Sequence, residues 1–243
     1  MKKSIFALLL VFSLTSCQEL LDVLESGGGT GVAGITQSEA ASGLKQALEK
    51  GVLTGTSFLG QKDGFLKNAA YKILMPTEVQ NAVSQIKGNP ISNALAGPYL
   101  DKVEVAMNTG ASNAMAEAKP IFVNAIKSMT ITDAINIVTG GKGAGTGYLQ
   151  RTTESQLKGK FKPVIGKALD KVNIRDPWSK VSKGYNLVTG KNVTTDIDQY
   201  VTERATTALF TQIRAEEDKI RANPIARTTD ILKKVFGYAD ANK

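Results

Sequence analysis

The stretch ITDAINIVTGGKGAGTGYLQRTT, residues 131–153, supports two incompatible folds. Its glycines, lysine and threonine suggest a phosphate cradle, which needs a buried strand before the loop. Its apolar spacing suggests a helix, a turn and a second helix. The spacing decides. Ile131, Ala134, Ile135 and Val138 fall at i, i+3, i+4 and i+7, one face of an amphipathic helix. Thr130 followed by Asp133 reads as a capping box, with Asp in the usual Glu position. A Walker loop needs G-x-x-x-x-G-K-[ST] after a strand. Counting from Gly140 reaches Gly145 correctly, but Thr146 then stands where the lysine belongs, and Lys142 lies inside the loop. The dinucleotide pattern G-x-G-x-x-G fails at the same residue, Thr146. Gly140 is placed to be the left-handed residue just past a helix, and a new helix is expected near Thr146, giving an αα-hairpin. A bare helix N-terminus still attracts anions, so Lys142, Thr146 and Arg151 are retained as anion-binding candidates.

Outward from this hairpin the signals stay helical. Residues 36–52 carry Ala40, Leu44, Ala47 and Leu48 at helical spacing, with Thr36 or Ser38 as cap and Glu39 in the first turn. Pro76 opens a helix with Val79, Val83 and Ile86 on one face and Gly88 as its stop. Pro98 is read as opening the next, whose stripe of Leu100, Val103, Met107, Ala111, Ala114 and Ala118 is rich in small residues and allows close approach. Pro120 opens another. Residues 147–173 read as helix interrupted at Pro163, and 174–194 as loop. The last long helix carries Ile197, Val201, Ala205, Leu209 and Ile213, with Thr195 and Asp198 as a second capping-box variant and Glu217–Arg221 as an i,i+4 pair. Pro224 ends it, and a short helix follows. No alternating run reads as a strand. The expected fold is all-α, one domain over residues 36–237 with a short polar tail at 238–243.

The N-terminus fixes location. Lys2 and Lys3 precede a short apolar run, Ser4–Leu14, too short for a bilayer, which needs about 20 apolar residues. This is a signal-peptide pattern. Leu14-Thr15-Ser16-Cys17 resembles the bacterial lipobox, in which the cysteine is lipidated and becomes the new N-terminus. The expectation is a signal peptide over 1–16 and a lipidated Cys17 followed by a glycine-rich tether to residue 35. Acyl chains such as palmitate contribute ~0.8 kcal/mol per buried methylene, so two or three of them anchor almost permanently. Gln18 is not the aspartate that signals inner-membrane retention in some bacteria. The expected location is therefore the cell envelope, at the outer membrane facing the periplasm.

Composition removes much chemistry. Cys17 is the single cysteine and there is no histidine. Ser-His-Asp and Cys-His mechanisms are thereby excluded, a zinc site is not expected, and no cofactor or other metal is expected. No disulfide forms, so stability rests on an apolar core. Without Lys2 and Lys3 the 30 basic residues fall to 28, against 22 acidic, which leaves +6. That balance could draw an anionic partner in the envelope, but Lys and Arg are interleaved with Glu and Asp, which reads rather as charge spread over a solvated surface. Nucleic acid is not expected, because no basic run interleaves with aromatics.

Several segments together carry a family resemblance: GLKQALEKG, DGFLKNAAYKILMP, MNTG, AKPIFVNAIKSMTITDAINIVTGG, GTGYLQRTT, DIDQYVTERATTALF and EEDKIRANPIARTTDILKKVFG. In this order they resemble a family of bacterial exported proteins, often lipoproteins, catalogued as a domain of unknown function. The resemblance implies a helical fold and an envelope location, and no activity, cofactor or substrate. The family pattern follows the Met-Asn pair with a basic residue and, three positions on, an acidic one. Here Thr109 and Ser112 stand in those places.

The remaining site candidates are few. Glu117, Asp133 and Glu154 could converge as paired carboxylates, although Asp133 already serves as a cap and the other two fit solvated helix positions. Arg221 and Arg227 flank a tight turn and could clamp an anion, or instead hold helix C-terminal carbonyls and pair with Glu216 or Glu217. Tyr148, Tyr185 and Trp178 read as core residues able to line a groove. The functional expectation is a non-enzymatic binding or scaffold module on a membrane anchor. The alternatives are a carboxylate-dependent hydrolase or transferase acting on cell-wall or lipid material, and a small-ligand carrier with an apolar cavity between helices.

Overall fold

The computed structural model describes residues 34–190 and 192–241. The signal peptide, Cys17 and the tether up to residue 33 lie outside the described residues. Helices follow one another in the order α1 (Gln37–Gly60), α2 (Thr77–Gly88), α3 (Pro90–Ala114), α4 (Ala118–Lys127), α5 (Ile131–Val138), α6 (Ala144–Asp170), α7 (Arg175–Thr189), α8 (Ile197–Ala222) and α9 (Asp230–Ala241). Short 3-10 turns stand at Met115–Glu117 and Pro224–Ala226. No strand occurs among the described residues. The fold is an all-α single domain.

Two helices organise the interior. α6 packs against α3, α8 and α4, while α8 lies between α6 and α1; α1 in turn carries α4, α5 and α9. Leu149, Leu157, Phe161 and Ile165 of α6 and Val201, Leu209 and Ile213 of α8 are fully enclosed. Each such side chain contributes about 1.5–3 kcal/mol on burial. The small-residue stripe of α3 works as its composition suggests. A β-carbon added at Gly110 would stand 3.1 Å from Cβ of Ala168 and 3.3 Å from Cα of Ile165, so α3 and α6 approach closely there.

Buried polar groups follow the rule that they must be partnered. Asn108 is fully buried: its Oδ1 accepts from the backbone N–H of Ile73 at 2.8 Å and its Nδ2 donates to the Ile73 carbonyl at 2.9 Å. It thereby pins the irregular segment between α1 and α2 to α3. Thr56, Thr153, Ser182, Thr202 and Thr206 each donate to the carbonyl one turn back. The buried Ser112 hydroxyl has no such partner among the described residues.

Several expectations need correction. α3 starts at Pro90, capped by Asn89, whose side chain accepts from the N–H groups of Ile91 and Ser92. Pro98 sits inside that helix, and Pro163 inside an uninterrupted α6. Both prolines are exposed, so the carbonyl each leaves without a backbone partner one turn earlier turns to water. Residues 175–189 form α7 rather than a loop, ended by Gly190 at φ +68°. Ile174 and Trp178 bury one side of it, and Pro177 falls in its first turn, where a missing N–H costs nothing. The cap of α8 is Asp196, which accepts from Gln199 N–H. Asp198 instead takes the Nε and Nη2 of Arg175 at 2.9 and 2.7 Å. α9 runs on to Ala241 through part of the expected tail.

The Thr36–Glu39 capping box forms at the start of α1, and Glu39 also meets Lys234 of α9 at 2.6 Å. The Lys234 ammonium, with the Thr36 N–H, lowers the Glu39 pKa to about 2. A depressed carboxylate stabilises the fold above its unfolded pKa and loses that contribution as pH falls through the folded value. The Tm difference between wild type and Glu39→Gln is therefore expected to be full at pH 6, to shrink below about pH 4.5, and to close near pH 2. Thermal melts at stepped pH check this; a gap independent of pH contradicts it.

Candidate functional site

The glycine loop between α5 and α6 binds an anion, and the anion comes from the chain itself. Glu217 of α8 accepts the backbone N–H groups of Gly145 and Thr146 at 3.0 and 2.7 Å, and the Thr146 hydroxyl at 2.7 Å. A helix N-terminus offers unpaired N–H groups and a positive dipole end, and a carboxylate 5% exposed fills that place. Arg221, one turn along α8, donates its Nε to Glu217 at 2.9 Å. Its Nη2 donates to the Ile137 carbonyl at 2.8 Å, and its Nη1 reaches the carbonyls of Val138 and Gly140. The same guanidinium therefore neutralises Glu217 and closes the C-terminus of α5.

This changes the role of the glycines. Gly140 is not the left-handed residue; Gly143 is, at φ +75°. Arg221 stops α5 by holding its last carbonyls, so no left-handed cap is needed there. The left-handed turn comes three residues later, at the N-cap of α6. A β-carbon at Gly143 would meet the Arg214 guanidinium at 2.3 Å, and one at Gly145 would meet Leu48 at 2.7 Å.

The other candidates disperse. Arg227 is buried: its Nε donates to the Ile220 carbonyl, and its Nη2 to the Arg221 carbonyl and to Asp240. Arg221 and Arg227 both stand over the Phe236 ring, at 5.5 and 5.9 Å. Lys142 and Arg151 are exposed. Asp133 caps α5 through Thr130. Glu154, half-buried on α6, pairs with Lys158 at 2.6 Å and accepts from Gln150, and Lys158 holds its carboxyl below the ordinary range. Glu117 stands half-buried in the 3-10 turn before α4. Among the described residues no three acidic, histidine or cysteine side chains gather to hold a metal ion.

Among the depressions formed by the described residues, two involve residues singled out above or groove-like walls. One is polar and runs along α8, where Tyr200, Arg204, Thr207, Thr211 and Arg214 follow one another and Tyr71, from the segment between α1 and α2, adds its ring. Its tyrosines are already engaged: the Tyr71 hydroxyl donates to Gln212 and the Tyr200 hydroxyl to the Leu74 carbonyl. The other is apolar, with a volume of about 310 Å³, and lies between α2, α3 and α7. Val79, Val83 and Ile86 form one wall, Tyr99 and Leu100 the floor, and Trp178, Val181 and Tyr185 the other wall. The sequence offered Trp178 and Tyr185 as possible groove residues; the structure places both here, and Tyr148 instead half-buried against the core. Nothing in the residue types of the aliphatic lining marks it as a site. Its signal was the face of α2, which spacing alone assigns to a core.

A family model described as a protein of unknown function (DUF4197) matches residues 34–237. No curated protein and no solved structure matches the chain.

Removing the carboxylate from the glycine loop strands the Arg221 charge and two N–H groups in the interior. Glu217→Ala is expected to cost about 3–5 kcal/mol, read as a lower urea midpoint at unchanged slope. Inorganic phosphate is expected to add nothing to the wild-type midpoint, since its place is taken. A phosphate-dependent rise would show the loop to be a ligand site.

Proposed function

The chain belongs to this family, whose description names no activity, and we propose that it serves as a non-enzymatic binding module held at the bacterial envelope by a lipid on Cys17, with the groove between α2, α3 and α7 as its binding element. The apolar groove carries the binding part of this reading. A soluble domain rarely leaves a concave surface so free of polar groups without using it. The binding-module and small-ligand-carrier readings meet in that one feature.

The anchor part rests on the N-terminal signal, the lipobox-like Leu14-Thr15-Ser16-Cys17 and the presence of a single cysteine at the position lipidation requires. No single helix among the described residues is long and apolar enough to cross a membrane. Attachment through acyl chains asks for none. The glycine-rich stretch 25–34 stands in the sequence between Cys17 and the helical domain.

Two measurements test the two parts. Wild-type protein expressed in its bacterial setting is expected in the membrane fraction, and Cys17→Ser in the soluble fraction; a membrane-bound Cys17→Ser protein rejects the anchor. The purified unacylated protein is expected to bind the apolar dye N-phenyl-1-naphthylamine in a saturable way, and Val181→Asp to lose that binding. Val181 is 58% exposed, so the substitution leaves the core intact. No dye uptake, or uptake unchanged by Val181→Asp, rejects the groove.

A further inference from the structure

The buried hydroxyls of this fold share one habit, and Ser112 departs from it. Thr56, Thr153, Ser182, Thr202 and Thr206 donate to the carbonyl one turn back, and Thr146 donates to Glu217. Ser112, 7% exposed near the end of α3, has no hydrogen-bond partner among the described residues. Its oxygen is closed to bulk water, so solvent does not stand in for the missing partner. A buried hydroxyl left unpaired costs free energy, and a native fold keeps such a group where something else uses it.

Ser112 lines a depression of about 570 Å³, where the last turn of α1 meets the passage from α3 to α4. That volume lies in the range of small-molecule sites. α1 ends at Gly60, and a β-carbon there would stand 3.2 Å from Cβ of Met115, so this helix end rests directly on the 3-10 turn. Beside the engaged Thr56, four more polar side chains line the depression. Ser57 and Gln61 come from the end of α1, Asn113 from α3 and Lys119 from the first turn of α4. None of the four makes a side-chain hydrogen bond or ion pair among the described residues. The polar depression along α8 is the opposite case, since Tyr71, Tyr200, Gln80 and Gln150 there are engaged within the fold. Exposed polar side chains are satisfied by water. The buried hydroxyl among them is not, and it marks this depression as a site.

Residue types define the ligand. Hydroxyls and amides both donate and accept, and the small groups that answer them in both senses are hydroxyls. Lys119 only donates, and it supplies the one charge; no carboxylate lines the depression. A divalent cation, which takes several carboxylate or carbonyl oxygens, finds no such set among these side chains. No aromatic ring lines it either, so a nucleobase has nothing to stack on. The match is a polyol with a single acidic group.

We propose that this depression binds a sugar unit bearing one carboxylate, with the carboxylate on Lys119 and the hydroxyls on Ser57, Gln61, Asn113 and Ser112. Serine has three staggered χ1 positions, and the Ser112 hydroxyl turns to the ligand when it arrives. The site shares no lining residue with the apolar groove. It goes beyond the binding role proposed above by adding a ligand of opposite chemistry, and the dye experiment on the groove neither supports nor rejects it.

Isotope-labelled, unacylated Cys17→Ser protein is titrated with glucuronate, glucose and acetate, and the side-chain amide signals of Gln61 and Asn113 are followed by NMR. Glucuronate is expected to shift both signals saturably. Glucose is expected to bind about tenfold more weakly, the contribution of one charged hydrogen bond, and Lys119→Gln to bring glucuronate down to the glucose level. Ser112→Ala is expected to weaken glucuronate several-fold while raising the Tm, because it removes a hydroxyl that the free protein leaves unpaired. Circular dichroism confirms that both variants remain helical. No saturable shift with glucuronate overturns the site. Glucose binding as tightly as glucuronate overturns the acidic group, and acetate binding as tightly overturns the sugar. Undiminished affinity in Ser112→Ala overturns the part given to the buried hydroxyl.

Discussion

A carboxylate buried against a helix N-terminus organises this protein. Glu217 belongs to α8, the N–H groups it accepts belong to α6, and the guanidinium that neutralises it also holds the end of α5. One ion pair therefore sets the relative positions of three helices. A buried charge is tolerable only when fully partnered. Here Oε1 and Oε2 meet two backbone donors, a hydroxyl and an arginine, so both charges stay inside. Arg227 extends the network: it takes the last carbonyls of α8 and pairs with Asp240 of α9. The helix ends at this pole of the molecule are closed by side chains from neighbouring helices, and rigidity follows from that.

What the amino-acid order reveals depends on how local the cause is. The capping boxes at Thr36 and Thr130, the apolar stripes of α5 and α8 and the close-packing face of α3 are determined within a few residues, and all are legible. The start of α3 is ambiguous in the sequence because two prolines compete for it, and only solvent exposure tells which can sit inside a helix. α7 is masked in the sequence because Pro177 and two glycines outweigh its apolar spacing locally, whereas burial of Trp178 decides the matter in three dimensions. Asp198 left the cap expected of it because Arg175, distant in sequence, offers a stronger partner.

The candidate site divides the same way. Thr146 stands out in the sequence for its place at a helix start, and Arg221 for the turn it flanks and for Glu217 one turn back. That the anion would be Glu217, about seventy positions away, is a tertiary fact. The apolar groove was still less visible. Its walls come from three helices spread over more than a hundred residues, and a valine on a helix face carries no mark that distinguishes groove from core. Aromatic residues gave the only hint, because their size makes them suited to either.

The walls of the groove are attached differently from the rest of the fold. α2 packs chiefly on α3, and α7 chiefly on α8, while the interior helices each have several substantial neighbours. Spreading such walls disturbs few contacts of the central bundle. The molecule thus combines a densely interconnected frame with two peripheral helices mounted on it separately, so the spacing of those two is the dimension of the fold least tied to the frame's own contacts.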